Sequence, residues 1–588
     1  MNEFNASQAD AIRHRDGPAL VLAGPGSGKT FTIIKRLENL ISSHQKDPSS
    51  ILTITYTTAA AGEMRARAYS LIGAAAGQAV FGTFHSIFYS ILRNSFSINA
   101  SNILKPYDKY MILTDIAVKT GIDSRDMKSL ADELSAMISR RKNGCQALSC
   151  FDDDVNDRIF TLYNERLKEL RLIDFDDMII KCRELFLRDG AVLKRWRERY
   201  RYIQIDEFQD INDSQYDVVK LLAGEDGNIL AVGDDDQSIY GFRGAGPGIM
   251  QRFIEDYPML SRYELNMNYR CSKAIAEAAD RVIEKNTVRI KKHHESFVQT
   301  GEAVDIRCLK DRDSETDAIA GMIDKSRPGD YAVLVRTNDL RELFEEALGK
   351  RGIPVISRGR EKGIYASETA KDIRAYLRLA SGCYDRADIL RAVNKPMRYI
   401  SREAFGREGA DINDACVYYR GQGSVYNNAV RLAADLKRMG SMRPANALRY
   451  LMKVVGYEAY LKKESGSAKE LYRLYEISKS FGSVTLWLKK MEESLFKKRD
   501  TAPDDKNDAG VSVMTLHASK GLEFREVFIV DVNEGIIPYH KAKLKEETEE
   551  ERRLLYVGMT RAISRLHLFY IEESFGKKMR PSPFLDQS

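Results

Sequence analysis

The chain has 588 residues, of which 43% are hydrophobic and 30% charged, a composition that excludes a disordered or fibrous chain and allows about three to five domains of ~100–200 residues. With 91 Lys and Arg against 85 Asp and Glu, the net charge of +6 is too balanced for the whole surface to bind polyanions, so any such site is local. The seven cysteines show no paired CxxC spacing, and no stretch resembles a signal peptide or the ~18 apolar residues of a membrane span, so the expectation is a cytoplasmic protein without zinc, disulfides or a membrane partner.

In chain order, "PALVLAG" (Pro18–Gly24) and "ILTITYTT" (Ile51–Thr58) are predicted strands, each followed by a helical pattern. Roughly residues 87–187 are periodic and charged, a helical insert. Strands return at "YIQIDEF" (Tyr202–Phe208), "NILAVGD" (Asn228–Asp234) and "YAVLVRTN" (Tyr331–Asn338). A second helix-rich stretch covers roughly 380–505, and the polar "KKRDTAPDDKNDAG" after it reads as a loop. The last strands are "VSVMTLH" (Val511–His517), "EVFIVDV" (Glu526–Val532) and "RLHLFYIE" (Arg565–Glu572). Fully apolar strands alternating with helices indicate parallel sheets covered on both faces, here two α/β domains.

"AGPGSGKT" (Ala23–Thr30) follows a strand and precedes a helix, the context of a phosphate loop. Its residues Ala23, Gly24, Pro25, Gly26, Ser27 and Gly28 wrap backbone N–H groups around an oxyanion at the positive end of the next helix. Lys29 is assigned to the β- and γ-phosphates and Thr30 to Mg²⁺. In "QIDEFQD" (Gln204–Asp210) two acids end a strand. Strand alternation would point them apart, leaving Asp206 to hold Mg²⁺ and Glu207 to act as general base on the attacking water. "LAVGDDDQSIYGFRGAG" (Leu230–Gly246) breaks from a strand into three adjacent aspartates. They read either as a solvated turn or as a turn facing something cationic.

These residues resemble the superfamily 1 DNA helicases of the UvrD/Rep/PcrA family, in register along nearly the whole chain. "FNASQADAI" (Phe4–Ile12) is similar to the adenine-reading motif, with Gln8 as the reader. "ITYTTAAAGEMRAR", "GTFHS", "IDEFQDINDSQY", "LNMNYRCS", "VLVRTN", "VMTLHASKGLEF" and "YVGMTRA" resemble the family's further motifs, and Leu230–Gly246 resembles the one that links ATP to DNA. The resemblance implies two RecA-like P-loop domains with a helical insertion in each. Residues 1–86 and 188–270 would form the first domain, 87–187 its insertion, 271–380 and 508–588 the second domain, and 381–507 a second insertion shorter than is typical. It implies ATP and Mg²⁺ as cofactors, with Tyr269 stacking on adenine and Glu523 touching the ribose. Gln237 would sense the γ-phosphate, and Arg270 and Arg561 would close on it.

For DNA the resemblance implies Tyr56, Thr57, Thr83, His85, Tyr240, Phe242, Arg243, Arg336, Asn338 and His517. Three departures stand out: Phe242 replaces the common Trp, Thr58-Ala59 an Asn-Lys pair, and Phe31 an Arg. The implied activity is an ATP-dependent helicase moving 3′→5′ on single-stranded DNA and at junctions, as a monomer or weak oligomer. The alternatives are an ATPase that strips proteins from DNA, or the motor of a larger repair, replication or defence complex.

Overall fold

Strand β1 (Ala19–Ala23) is buried at every position, as a strand inside a doubly covered parallel sheet must be. The computed structural model describes all residues except 1–3, 97, 123–126, 144–151, 226, 242–245, 247, 293–294, 358–363, 407–410, 466–467, 497–509, 575 and 588. The expected loop after the second helical stretch, and Phe242 and Arg243, therefore lie outside the described residues. Joining β1 are β2 (Ile51–Thr55), β3 (Val80–Thr83), β4 (Tyr202–Ile205), β5 (Asn228–Gly233) and β6 (Ser261–Leu265). They form a six-stranded sheet in the order β3-β2-β4-β5-β1-β6, parallel throughout. Leu20 and Leu22 face one core with Ile54, Phe88, Ile205 and Ala231; Val21 faces the other with Ile33, Leu37, Leu230 and Val232.

The sheet order is what assembles the site. Strand β1 lies beside β5, and β5 beside β4, with Leu22 paired to Gly233 and Ile205 to Ala231. The phosphate loop, the Asp206 turn and the triple-aspartate turn therefore leave neighbouring strand ends on one edge, where open α/β sheets bind ligands.

A short pair, β7 (Met267–Ser272) with β8 (Glu295–Val298), follows the first lobe. The second lobe is built from β9 (Asp305–Leu309), β10 (Tyr331–Val335), β11 (Val355–Ser357), β12 (Val511–Thr515), β13 (Phe524–Ile529) and β14 (Ala562–Ile571). Its order is β11-β12-β10-β13-β14-β9, again all parallel. Strands β3, β6, β9 and β11 were not among the expected ones. Each lies at or next to a sheet edge, and β6 and β9 alternate or carry exposed residues, so they lack the unbroken apolar signature. Both lobes fall in one compact unit with the first insert's helices, among them Asp153–Glu169 and Phe175–Arg188.

Residues 360–507, with Ile122–Leu130, belong to a second compact unit. Its helices surround Trp487, Leu471, Leu474 and Tyr376, and the buried Asp372 accepts from Lys395, Arg391 and the Tyr457 hydroxyl. The helix Glu368–Ala380, given to the second lobe by the sequence, supplies Ile373, Tyr376 and Leu377 to this helical core. Among the described residues, no helix is long and apolar enough to cross a membrane.

Arg36, on the helix Lys29–Glu38 behind the phosphate loop, is fully buried. Its guanidinium donates to His14 O at 2.9 Å, Gln204 Oε1 at 3.0 Å and Arg15 O at 3.2 Å, tying that helix to β4 and to the segment before β1. Arg36→Ala leaves two buried acceptors, His14 O and Gln204 Oε1, and the part-buried Arg15 O unmatched. It should destabilise the protein by on the order of 3 kcal/mol, read as a lower urea midpoint.

Candidate nucleotide-hydrolysis site

The phosphate loop turns on two left-handed glycines, Gly26 (φ +67°) and Gly28 (φ +85°). At Gly26 a Cβ would lie 2.4 Å from Asn268 Oδ1 and 2.6 Å from Arg270 Cβ, and Tyr269 N donates to Gly26 O at 3.0 Å. Only glycine lets strand β7 approach the loop so closely. Lys29 Nζ donates to the loop's own carbonyls, Ala23 O at 2.9 Å and Gly24 O at 3.3 Å. Burial pulls this ammonium below its ordinary range, against the opposing pull of Glu207, Asp234 and Asp206. Ser27 Oγ donates to Gly24 O. Gln8 completes a capping box with Asn5 and donates Nε2 to Ser27 O at 3.0 Å, so it braces the loop. Thr30 stands in the first turn of Lys29–Glu38.

Strand β4 ends at Ile205, so the alternation expected to separate the two acids does not reach them. Glu207 instead takes a left-handed backbone, φ +53°, a conformation that costs a non-glycine residue about 1–3 kcal/mol and gathers at functional sites. Burial, and then the charge of Glu207, raise Asp206 to about 7. For Glu207 the upward push of burial is outweighed by Lys520 and Lys29, and its carboxyl is held below the usual value.

Two residues to which the sequence assigned no role complete this corner. Gln209 donates Nε2 to Glu207 Oε2 at 2.5 Å, accepts Asp234 N on Oε1 at 3.0 Å, and accepts Ser238 Oγ on its carbonyl. It joins the acid turn to the aspartate turn, and a Cβ on Gly233 would sit 2.5 Å from its Oε1. Lys520, from the second lobe, donates to Asp210 Oδ2 at 2.5 Å and Gln237 O at 2.7 Å and lies 3.9 Å from Glu207. Burial alone would lower it, but Asp210 and Glu207 hold it above its ordinary value. The available signal was its place in "HASKGLEF", inside a quoted motif.

Arg270, on β7, donates Nε to Glu523 Oε2 at 2.8 Å and Nη1 to Thr560 O at 3.3 Å. Glu523, expected at a ribose, is thus the partner of Arg270. Arg561 is buried and donates to Val557 O, Leu522 O and Thr560 Oγ1; burial, followed by Arg270, lowers it to about 9. Tyr269 is 40% exposed, its hydroxyl accepting from Asn5 Nδ2 at 2.9 Å, and its ring centroid is 5.3 Å from that of Phe297. Phe31 lies under the Lys35 ammonium.

Asp234, Asp235 and Asp236 are at most 1% exposed, which overturns the solvated-turn reading. They face Lys292 and Arg289, and Gln237 Nε2 donates to Asp234 Oδ2 at 2.6 Å. One aspartate does bond the turn's own backbone: Asp234 Oδ1 accepts Asp236 N.

The residues expected to touch nucleic acid are partly engaged with one another. Tyr56 and Tyr240 are stacked, 5.0 Å between centroids and 10° between planes. Thr57 and Thr83 cap the helices Thr58–Ile72 and Phe84–Ser95. His85 meets Phe175 edge-on. Arg336 is bound through two nitrogens to Glu551 and lies over Tyr539. Asn338 opens the helix Asn338–Lys350, and His517 opens the turn His517–Ser519.

Comparison with known proteins gives a consistent picture. The UvrD/REP helicase N-terminal domain matches residues 4–258, and the UvrD-like helicase C-terminal domain matches 263–418 and 423–573. The chain is 31% identical to the ATP-dependent DNA helicase Rep of Escherichia coli (strain K12), over 99% of this chain and 93% of Rep. It is 32% identical to the ATP-dependent DNA helicase PcrA of Leuconostoc citreum, over 96% and 82%. It is 31% identical to the putative ATP-dependent DNA helicase YjcD of Bacillus subtilis (strain 168), over 99% and 80%.

Because alanine at Gly26 would carry left-handed strain of about 1–2 kcal/mol and strike Asn268, Gly26→Ala should weaken binding of a fluorescent nucleoside triphosphate by about tenfold or more. Equilibrium titration checks this, with circular dichroism confirming an unchanged fold.

Proposed function

The chain belongs to the UvrD/Rep family of DNA helicases, and from that premise we propose that it is an ATP-dependent helicase that moves 3′→5′ along single-stranded DNA and opens duplex at junctions. The observation that carries this reading is a hydrolytic corner completed from both lobes. Lys29 comes from the end of β1 and Asp206 and Glu207 from the end of β4, the two strands flanking β5 in the first, and Lys520 from the second reaches within 3.9 Å of Glu207.

Lys29 exchanges its two loop carbonyls for phosphate oxygens of ATP, and the N–H groups of the phosphate loop take the rest. Gln8 and Asn5 brace the loop and the Tyr269 hydroxyl on the side assigned to the base. The Thr30 hydroxyl and Asp206 carboxylate are an all-oxygen donor pair of the kind Mg²⁺ prefers. A buried carboxyl raised to about 7 is one that gains from a cation beside it. Mg²⁺ held there supplies charge neutralisation of the phosphates.

Glu207, depressed and therefore ionised at neutral pH, accepts the proton of the attacking water, and Gln237 orients that water. Arg270 and Arg561 leave their present carbonyl and carboxylate partners to bond the γ-phosphate. Guanidinium suits this role because it stays charged and binds two oxygens at once. Binding of ATP draws the lobes together and hydrolysis releases them. The aromatic pair Tyr56–Tyr240 and Arg336 alternate their hold on the DNA strand in step with that cycle.

Hydrolysis should rise severalfold on adding single-stranded DNA, and displacement should occur on 3′-tailed but not 5′-tailed duplexes. Lys29→Ala should abolish both. Glu207→Gln should lower kcat by about 10²–10⁴-fold while still binding ATP. Hydrolysis indifferent to DNA would overturn the motor reading, and displacement from 5′ tails alone would overturn the polarity.

A further inference from the structure

The triple-aspartate turn raises a problem of charge. Three successive carboxylates are buried within reach of one another, their oxygens within 4.8 Å, and such a group repels itself unless cations are set among it. The cations come from a single short segment, Arg289 to Lys292. The Lys292 side chain, 3% exposed, contacts Asp234 and Asp235 and lies 3.2 Å from Asp236 Oδ2. Arg289 binds both oxygens of Asp236, at 3.0 and 2.7 Å, and Ile290 N donates to Asp235 Oδ2 at 2.6 Å.

This segment is not a free arm. It leaves the helix Lys273–Ile283, and Thr287 just before it donates N and Oγ1 to Glu549 at 2.9 and 2.7 Å. That helix follows directly on β7, the strand that carries Tyr269 and Arg270. On the other side, Asp234 holds Gln237 through Oδ2 and meets Lys292 through Oδ1. A continuous path thus runs from Gln237 through Asp234 to Lys292 and back along residues 284–291 and the helix Lys273–Ile283 to β7 and Arg270.

The turn is also held by Gln209 of the first lobe, through Asp234 N and Ser238 Oγ, and by the second lobe. Arg553 and Glu550, on the helix Lys545–Met559, bond Ser238 O at 3.0 Å and Gly241 N at 2.9 Å, and Lys520 bonds Gln237 O.

We propose that Lys292, with Arg289, is a positioning residue for hydrolysis: it fastens the turn carrying Gln237 to the strand carrying Arg270, so that the two groups assigned to the γ-phosphate move as one body. The turn belongs by sequence to the first lobe, yet its three aspartate side chains are anchored on Arg289 and Lys292. Lys292 touches no substrate; it acts through Asp234 on Gln237. This inference rests on the role proposed for Gln237.

The test is a double-mutant cycle on the full chain at saturating single-stranded DNA, with kcat and KM for ATP, DNA affinity and melting temperature measured for each enzyme. Gln237→Ala should lower kcat at least tenfold. Lys292→Gln should lower kcat by a comparable factor with KM and DNA affinity within about twofold, Lys292→Arg should recover part of the loss, and the double variant should be no slower than the slower single. Multiplicative losses, or a Lys292→Gln effect confined to KM or DNA affinity, would overturn the proposal.

If Lys292→Gln alone does not fold, Asp235→Asn/Lys292→Gln keeps the net charge of the cluster and takes its place in the cycle with the same expected and overturning results. A Gln237→Ala enzyme with unchanged kcat would instead refute the role of Gln237 itself, and the inference with it.

Discussion

Six carboxylates, Asp206, Glu207, Asp210 and Asp234 to Asp236, crowd the ends of strands β4 and β5, and all but Glu207 are buried. Removing an ion from water costs several kcal/mol even after the protein relaxes, unless an opposite charge replaces the lost solvent. Lys29 of the first lobe lies in this region and is bonded to carbonyls. Lys520, Lys292 and Arg289 reach in from beyond that lobe. Acids on one side and bases on the other make each half incomplete without its counterpart. The two lobes are held in register by electrostatics at the place where the chemistry is proposed to occur.

That division explains which parts of the protein could be read along the chain. Strands β1 and β10 are apolar throughout, and β2, β4, β5 and β12 are mostly apolar and buried on both faces, and such runs announce themselves. The edge strands β6 and β9 are half polar and resemble loops until a sheet lies beside them. The phosphate loop and the acid pair were legible because local backbone geometry demands particular residues in a row: glycines where φ is positive, a lysine and threonine opening the helix.

Gln209, Lys520, Arg289 and Lys292 were not legible in that way. A glutamine in a turn or a lysine in a basic run has no local signature, and its partner lies up to 310 positions away. The same limit acts in reverse at the triple aspartate. Adjacent like charges look solvent-facing when the cation that neutralises them sits more than fifty residues downstream. Glu523 shows it too, since its partner Arg270 is 253 positions distant.

The stacked pair Tyr56 and Tyr240 has a consequence for how the proposed track would treat different sequences. A base that enters between or beside these rings exchanges one aromatic contact for another, so the net gain from stacking is small and nearly the same for all four bases. Arg336 behaves alike, because the Glu551 carboxylate already occupies its guanidinium and a phosphate would replace one anion with another. Binding by substitution gives a shallow, even energy profile along the strand. A protein that must advance over any sequence without stalling at favourable ones has need of such evenness.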